Sequence, residues 1–435
     1  MKTKTLKADK VNIITLGCSK NMVDSEVLSG QLLANDIAVV HEAEKLNHNI
    51  VVINTCGFID KAKEESVNTI LEQVALKKKK KLDKVFVTGC LSERYRNDLK
   101  KEIPEVDDWF GTLELPQILS RFNANYRADL LGERLLATPS HYAYLKISEG
   151  CNRTCSFCAI PLMRGQHVSK TMEAIIAEAK GLVKKGVKEI MLIAQELTYY
   201  GLDIYKKRML PDLLKMLSDI EGLVWIRLHY AYPSKFPLDI LDVMKERNNI
   251  CNYLDMPLQH ASNNMLAAMK RNITRQEMTD LLQAIREKVP GICLRTTLIA
   301  GFPGETRDDI EELKQFLEQE RFDRVGVFTY SHEEDTSGYA LTDNISAAEK
   351  EERAQEIMEV QQEISYEKNQ EKIGQTLKVI IDKEEAGRYL ARTEFDSVEV
   401  DNEVIITTPK ILLPGDFVNV KIVNAFDYDL TGELI

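Results

Sequence analysis

The amino-acid sequence predicts an α/β protein of three successive domains, and three patterns along its 435 residues support this. Residues 11 to about 125 alternate apolar, strand-like runs with helical segments, as in a doubly wound α/β domain. Residues 142–330 repeat this alternation with a longer period, which predicts a partial or full barrel of parallel strands. The last segment alternates apolar and polar side chains and predicts a small antiparallel β-barrel. We place the domains at residues 1–137, 138–371 and 372–435.

In the first domain, a cysteine next to a glycine follows each of three predicted strands. The strands are predicted at 11–16, 50–54 and 84–88, and helices at about 22–35 and 60–80. The carboxyl ends of parallel strands meet at one sheet edge, where ligands bind, so we expect Cys18, Cys56 and Cys90 to converge. The alternative is three ordinary buried cysteines, which are common. Their repeated placement favours a second metal-cluster site.

A second set of three cysteines has a spacing with chemical meaning. Cys151, Cys155 and Cys158 form C-x3-C-x2-C, and three thiolates in one loop can hold three corners of a 4Fe–4S cluster. The fourth iron is then open to a substrate or cofactor. A structural zinc site wants four ligands in paired units, and a disulfide framework is not expected because the polar start of the chain is unlike a signal peptide. We interpret Cys251 and Cys293 as plain structural cysteines.

Six strands are predicted in the second domain, and the cysteine loop follows the first of them. They lie at 142–148, 189–194, 225–230, 253–258, 293–300 and 324–330, with helices between them such as 171–185 and 277–288. Barrels of this kind carry their active sites at the carboxyl ends of the strands, so the cysteine loop lies where catalysis is expected. A capping box of Ser346 and Glu349 predicts a helix that runs to about residue 372. Turns at 386–387 and 414–415 divide the last domain.

Composition and charge exclude several classes of protein. No run approaches 18 apolar residues, so no membrane span is expected. Thiolate ligands need a reducing compartment, which fits the cytoplasm. The net charge of −11 argues against a large constitutive nucleic-acid surface. The lysine run 77–81 is the local exception, and we interpret it as a solvated helix end in preference to a binding patch.

Taken together, the three segments resemble the methylthiotransferase family of the radical S-adenosylmethionine (SAM) superfamily, over nearly the whole chain. That family has a cluster-binding N-terminal domain, a radical SAM barrel and a small C-terminal β-barrel called TRAM. The resemblance implies two 4Fe–4S clusters, an auxiliary one on Cys18, Cys56 and Cys90 and a SAM-binding one on Cys151, Cys155 and Cys158. It also implies that SAM both methylates a sulfur atom and supplies the radical that removes hydrogen from an unactivated carbon. Iron–sulfur electron carriers and scaffolds, the non-enzyme alternative, need neither such a barrel nor an open iron.

Two features bear on the substrate. The segment Leu16-Gly17-Cys18-Ser19-Lys20-Asn21 resembles the RimO branch, which methylthiolates the β-carbon of an aspartate in ribosomal protein S12, whereas the tRNA-modifying MiaB branch typically has Gln-Met-Asn after the cysteine. Residues 369–435 hold seven basic and thirteen acidic residues, and an acidic domain suits a basic ribosomal protein better than it suits tRNA. The expected partners are therefore S12, free or within the ribosome, with an electron donor and a sulfur donor. A MiaB-type tRNA adenosine methylthiotransferase is the alternative function.

The resemblance also points to residues of the SAM pocket, which lie at the ends of the barrel strands. They are Gln195, Glu196, Arg227, Gln259, Arg295 and Gly301. Where Glu196 stands, the RimO pattern usually has aspartate, so the carboxylate is one methylene longer here. A buried arginine needs an anionic partner, which for Arg227 and Arg295 is either the SAM carboxylate or an acid of the site. We interpret His260 as a satisfied strand-end histidine in preference to a proton donor.

Overall fold

The N-terminal part of the chain forms a parallel sheet with helices on both faces. The computed structural model describes residues 9–43, 45–127, 130 and 133–435. The elements are β1 (Lys10–Thr15), α1 (Ser19–Leu33), β2 (Ala38–His41), β3 (Ile50–Thr55), α2 (Asp60–Lys78), β4 (Lys84–Gly89), α3 (Cys90–Glu102), β5 (Asp108–Trp109) and α4 (Leu115–Ser120). The sheet order is β2-β1-β3-β4-β5, and every pair is parallel. The predicted strands β1, β3 and β4 are confirmed.

The sequence missed the two edge strands of this sheet. Strand β2 is partly exposed, and β5 has only two residues, so neither carries the long apolar run that marks a buried parallel strand. The lysine run does end a helix, as predicted. Lys77 pairs with Asp107 at 2.6 Å and Lys78 with Glu105 at 2.6 Å at the surface.

The central part of the chain forms an open, all-parallel sheet of six strands. Its elements are β6 (Tyr142–Lys146), β7 (Ser148–Glu149), α5 (Ile160–Arg164), β8 (Val168–Ser169), α6 (Met172–Lys184), β9 (Glu189–Ile193), α7 (Leu210–Ser218), β10 (Trp225–Leu228), α8 (Asp239–Glu246), β11 (Ile250–Asp255), α9 (Asn263–Ala268), α10 (Arg275–Lys288), β12 (Cys293–Ala300), α11 (Arg307–Glu320), β13 (Arg324–Thr329) and α12 (Ala347–Gln370). The order β6-β9-β10-β11-β12-β13 follows the chain, and the sheet does not close on itself. Of the two predicted forms, the structure therefore has the partial barrel.

Two local predictions in this domain need correction. Strand β11 begins and ends three residues earlier than predicted, and it ends before Pro257, which has no N–H to continue the ladder. The Ser346 side chain caps α12 by accepting from the Glu349 N–H, as predicted. The reciprocal half of the capping box is not formed, because the Glu349 carboxylate accepts from Arg353 at 2.5 Å instead.

The C-terminal domain is a closed five-stranded barrel. It consists of β14 (Thr376–Glu385), β15 (Arg388–Thr393), β16 (Val404–Ile406), β17 (Phe417–Ala425) and β18 (Leu430–Leu434), in the order β14-β15-β16-β18-β17. One pair, β16 with β18, is parallel, whereas an entirely antiparallel barrel was predicted. A closed ring with an odd number of strands cannot alternate direction throughout, so one parallel pair is unavoidable.

A loop of this last domain fills the concave face of the partial barrel. We call residues 394–401, between β15 and β16, the docking loop. Its Val398 packs with Tyr142, Tyr144 and Met191 of the barrel and with Val23 of α1. Helices cover the opposite face of the sheet, where side chains such as Leu192 and Ile226 form the main hydrophobic core. No helix among the described residues is both long and apolar enough to cross a membrane.

Candidate functional site

The three N-terminal cysteines lie together at the carboxyl edge of the first sheet. Cys18 precedes α1, Cys56 follows β3, and Cys90 is the first residue of α3. A Cβ atom on Gly17 would stand 2.7 Å from the Cβ atom of Cys56, so the segment of Cys18 passes directly over Cys56. Burial raises the pKa of Cys90 to about 12, and electrostatic repulsion from Cys18 and Cys56 adds to this rise. The three residues therefore converge as predicted, and their role as cluster ligands stays a prediction.

Glycine makes this convergence possible. Gly89 has a φ of +97°, and a Cβ atom there would lie 2.5 Å from the carbonyl oxygen of Thr55. A residue with a side chain would be strained by the φ and would clash with β3. Glycine thus allows the chain to leave β4 and enter α3 at Cys90, close beside the end of β3.

The second set of cysteines occupies the loop after β6 and β7. Arg271 donates from Nη1 to Cys155 Sγ at 3.2 Å, and the backbone N–H of Arg153 donates to Cys151 Sγ at 3.4 Å. Burial raises the pKa of Cys151 to about 11 and that of Cys158 to about 12, and repulsion from Cys155 contributes to both shifts. The three thiols are therefore close neighbours, and two arginines stand beside them.

Both cysteine sets fit a cluster better than they fit a single ion. Among the described residues, no group of three His, Cys, Asp or Glu side chains converges on a point where one metal ion could be held. A 4Fe–4S cluster contacts each thiolate at a separate iron, so its ligands do not need to meet at one point. Positive side chains beside the sulfurs, Arg271 at Cys155 and Arg164 at Cys90, would offset the negative charge of such clusters.

Arg164 connects the two sites, because it follows the second cysteine loop in sequence and contacts the first set in space. It ends helix α5, six residues after Cys158, and its side chain crosses into the N-terminal domain. Nε donates to Cys90 Sγ at 3.3 Å, Nη1 donates to Asp24 at 2.6 Å, and Nη2 donates to the side chain of Asn21. Asp24, Cys90 and Glu149 raise the pKa of Arg164 well above its usual range although burial opposes this.

Charged residues continue this contact between the domains. Lys146, at the end of β6, pairs with Asp24 and with Glu149, the latter at 2.5 Å. Lys146 and Arg164 hold the pKa of Glu149 at about 2 although burial opposes this. Glu149 also accepts from Gln195 Nε2 at 2.5 Å. A chain of buried polar contacts thus runs from the first cysteine set to the strand ends of the barrel.

Gln195 and Glu196 lie where the sequence predicted the SAM pocket, beside the second cysteine loop. Glu196 is buried and accepts from Arg153 Nη2 at 2.6 Å and from Thr198 Oγ1 at 2.7 Å. It is thus anchored to the residue two positions after Cys151. The Gln195 side-chain oxygen is buried without a hydrogen-bond donor among the described residues, so it is available to a ligand.

Gln259 and Gly301 stand at strand ends, but for different reasons. Gln259 has a left-handed φ of +78°, while its backbone N–H donates to Thr297 and its carbonyl accepts from Ile299. Strained backbone of this kind gathers at functional sites. The prediction for Gly301 was wrong, because a Cβ atom there would stand 2.2 Å from Cγ of Lys350. The glycine makes room for α12 rather than for a ligand.

The predicted placement of Arg227 and Arg295 in the SAM pocket was also wrong. Arg227 is fully buried, and it donates to Glu189 at 2.9 Å and to the carbonyl of Glu394 in the docking loop at 2.6 Å. Arg295 donates to Asp255 at 3.0 Å and to Asp401 of the docking loop at 3.2 Å. The anions that these strand arginines require are protein carboxylates, so both residues hold the C-terminal domain in place.

His260 meets the prediction of a satisfied strand-end histidine at one ring nitrogen only, because its Nε2 is buried without a hydrogen-bond partner among the described residues. It is fully buried, and its Nδ1 accepts from the backbone N–H groups of Ala261 and Ser262 at 2.9 and 3.0 Å. Nε2 lies 3.5 Å from Glu305.

Two arginines of the site, Arg153 and Arg271, were not predicted from the sequence. Arg153 lies inside the cysteine motif and could have been found there, whereas Arg271 follows a different strand and nothing in the sequence connects it to Cys155.

Comparisons with known proteins agree with this arrangement. Residues 10–111 match an uncharacterized protein family (UPF0004), residues 145–317 match the radical SAM superfamily, and residues 373–435 match the TRAM domain. The chain is 60% identical over 434 residues to the ribosomal protein uS12 methylthiotransferase RimO of Flavobacterium psychrophilum, and the match covers 100% of both chains. It is 58% identical over 436 residues to the protein of that name from Cytophaga hutchinsonii, again over 100% of both chains.

A solved structure with a similar fold is the radical SAM methyltransferase TsrM of Kitasatospora setae. It has a TM-score of 0.54 and 14% sequence identity, and the match covers 74% of this chain and 73% of that one. At this identity the likeness concerns the fold alone.

Proposed function

Because this chain belongs to the RimO family of radical SAM methylthiotransferases, we propose that it adds a methylthio group to the β-carbon of an aspartate in ribosomal protein uS12. The family is one of enzymes, which excludes the electron-carrier alternative, and membership implies SAM and a 4Fe–4S cluster. The second cluster, with Cys18, Cys56 and Cys90 as its ligands, is part of the proposal. So is the assignment of Cys151, Cys155 and Cys158 to the SAM-binding cluster.

The observation that carries the proposal is the contact that Arg164 makes between the two cysteine sites. Arg164, six residues after Cys158, donates to Cys90 Sγ at 3.3 Å. A carrier that moves electrons through one cluster has no need for a second three-cysteine site on another domain. An enzyme that joins a sulfur atom to a carbon radical needs both sites to open on one cavity, and this contact supports that arrangement.

The residues around the cysteines have roles that follow from their contacts. When bound, the SAM cluster supplies the electron that cleaves SAM, and the auxiliary cluster supplies the sulfur that becomes methylated. Arg153 is held by Glu196 and is therefore oriented beside Cys151. Arg271 stands at Cys155 and is suited to a carboxylate bound nearby. Gln195 has one free buried acceptor, which suits it to orient an amino or hydroxyl group.

A protein substrate suits this chain better than tRNA. Both relatives described above carry the uS12 name, so the MiaB alternative is not retained. Several acidic residues of the C-terminal domain, such as Asp396 and Asp401, are buried against the barrel, but others remain at its surface. We further propose that the enzyme works in the cytoplasm, where thiolates stay reduced, with an electron donor and a sulfur donor as partners and with uS12 either free or in the ribosome.

The test is the intact mass of recombinant uS12 after anaerobic incubation with the reconstituted enzyme, SAM, sulfide and a reductant. We expect the mass of one methylthio group in place of one hydrogen, located on an aspartate by fragmentation. A matched reaction with the Cys90→Ala variant should leave uS12 unchanged. Methylthioadenosine in tRNA offered in parallel, with uS12 unmodified, would overturn the proposal while leaving the radical SAM assignment intact.

A further inference from the structure

Three lysines of this chain are buried in the described structure, and one of them has no counter-ion. Lys20, Lys146 and Lys350 have relative exposures of 8%, 7% and 8%. Lys146 pairs with Asp24 and Glu149, and Lys350 pairs with Asp343 at 2.6 Å. Lys20 has no carboxylate within ion-pair distance among the described residues. Its ammonium instead lies 3.0 Å from the centre of the Tyr230 ring.

Lys20 lies where the proposed reaction would occur. It is the second residue of α1, two positions after Cys18, and therefore belongs to the edge that carries the first cysteine set. Tyr230 lies just beyond the end of β10, with a left-handed φ of +66°, and its backbone N–H donates to Asp255. The ammonium thus stands between the auxiliary site and the strand ends of the barrel.

A structural role does not account for this placement. A buried ammonium is normally paired, because removal from water penalises an isolated charge heavily. An aromatic face offsets only part of that penalty. Neighbouring His229 cannot supply an anion, because an imidazole is either neutral or positively charged. Burial and the positive charges of Arg227, Arg295 and Lys20 lower its pKa well below the usual range and keep it neutral. The site thus lacks one anion.

We propose that the Lys20 ammonium binds the side-chain carboxylate of the target aspartate and makes the enzyme specific for that residue. The inference rests on the proposed function. The carboxyl carbon of aspartate is bonded directly to the β-carbon, so a fixed carboxylate fixes the position of the carbon that reacts. SAM also has a carboxylate, but Arg153 and Arg271 already stand on its side of the site, beside Cys151 and Cys155.

The experiment compares two substrates and three variants. Recombinant uS12 and its Asp→Asn variant at the target position are offered to the wild type, Lys20→Met, Lys20→Arg and Lys350→Met. Binding is measured by calorimetry without reductant, and turnover gives KM and kcat. Methionine matches lysine in length and removes its charge. Lys350→Met is the matched control, because Lys350 is an equally buried lysine whose anion is already present in the protein.

We expect Lys20→Met to weaken uS12 binding and to raise its KM by about 10- to 100-fold, as for the loss of a charge-assisted hydrogen bond. The preference for aspartate over asparagine should disappear, while the KM for SAM and the cleavage of SAM stay the same. Lys20→Arg should restore part of the preference. Lys350→Met should lower stability but keep the preference.

Other outcomes contradict the inference in distinct ways. An unchanged KM and unchanged selectivity in Lys20→Met would overturn it. A raised KM for SAM would assign the carboxylate to SAM instead. Altered electron paramagnetic resonance of the auxiliary cluster with unchanged uS12 affinity would mean that Lys20 serves the cluster. If the wild type modifies neither form of uS12, the proposed function itself fails, and the inference fails with it.

Discussion

The two faces at which the partial barrel meets its neighbouring domains are built on opposite principles. Against the C-terminal domain, buried charges are matched: Arg295 with Asp401, Arg324 with Asp396 and Arg392 with Glu189. Against the N-terminal domain, matched charges such as Arg164 and Asp24 stand beside unmatched groups. Lys20 has a ring in place of an anion, and Gln195 has a buried oxygen with no hydrogen-bond donor among the described residues.

This difference distinguishes the contacts that hold the domains together from the groups that can bind a substrate or cofactor. A buried ion pair whose partners are both in the protein holds two domains in one geometry, but it has no remaining capacity for a ligand. Unpaired buried groups and strained backbone lower stability, and they persist where a substrate or cofactor completes the bonding. Both faces contain buried arginines, so burial and charge alone do not locate a site. What locates a site is whether each buried charge already has a partner within the protein.

The largest expected effects come from the cysteines themselves. Cys155→Ser should abolish SAM cleavage, whereas Cys56→Ser should keep SAM cleavage and lose methylthio transfer, because we propose that the two residues bind different clusters. Each variant should retain about half of the wild-type iron. Iron analysis and deoxyadenosine formation measure both effects. Cys251→Ala is the control and should keep full iron and activity, and equal behaviour of Cys56→Ser and Cys155→Ser would contradict the division into two sites.

The contact between the two sites should be nearly as sensitive. Arg164→Met leaves Asp24 without one of its cations and Cys90 without its donor, so we expect the free energy of unfolding to fall by about 3–5 kcal/mol. Methylthio transfer should fall with it. Arg164→Lys keeps the charge but cannot span Cys90, Asp24 and Asn21 together, so it should recover stability more than transfer. Urea unfolding and product mass measure the two quantities, and equal recovery of both would argue against a positioning role.

On the docking-loop side, the same kind of substitution should affect stability alone. Arg227→Met leaves Glu189 with one of its two arginines, and we expect a loss of about 3–5 kcal/mol in the free energy of unfolding. The KM for SAM in the remaining folded enzyme should not change. Arg388→Met, which changes an exposed arginine, is the control and should change stability by no more than about 0.5 kcal/mol. A raised KM for SAM in Arg227→Met would restore the original prediction for this residue.

The smallest expected effect is a loss of folding stability at acidic pH. The pKa of buried His229 is lowered in the folded protein, so below its ordinary value the unfolded chain binds a proton that the folded chain does not. Stability contributed by neutral His229 is therefore complete above about pH 6.5 and is lost as the pH falls, by up to about 1.4 kcal/mol per pH unit. Urea unfolding at pH 7 and pH 5 should show a shallower loss for His229→Gln. His41, His48 and His167 also have lowered pKa values, so some loss should remain.

Much of the fold could be predicted from local patterns. Most of the apolar runs that became β1, β3, β4 and the six barrel strands are buried on both sides, which makes them the easiest strands to recognise, whereas β13 is largely half-buried. Strands β2 and β5 lie at sheet edges and carry no such run. The parallel pair β16 and β18 could not be seen locally, because it follows from ring closure and not from any one segment.

The candidate site was predictable to the extent that one chain segment carries it. The spacing of Cys151, Cys155 and Cys158 is local, and the shared position of Cys18, Cys56 and Cys90 follows from the geometry of parallel strands. The counter-ions of Arg227 and Arg295 are not local. The carboxylates that pair with them, Glu189 for Arg227 and Asp255 and Asp401 for Arg295, lie 38 or more residues away in sequence, so a buried arginine on a strand was equally consistent with SAM and with protein.

The sequence by itself determined the three domains, the two cysteine sets and the chemistry that three thiolates can support. Each of these follows from the spacing or periodicity of residues along the chain. Only the tertiary structure decided which charges are already paired. In the folded chain, Arg227 and Arg295 contact the docking loop, and Gly301 makes room for Lys350. Arg164 connects the two cysteine sets, and Lys20 has no anion beside it among the described residues. The physical reason is that pairing depends on which distant segments meet, and burial penalises every charge that does not find a partner there.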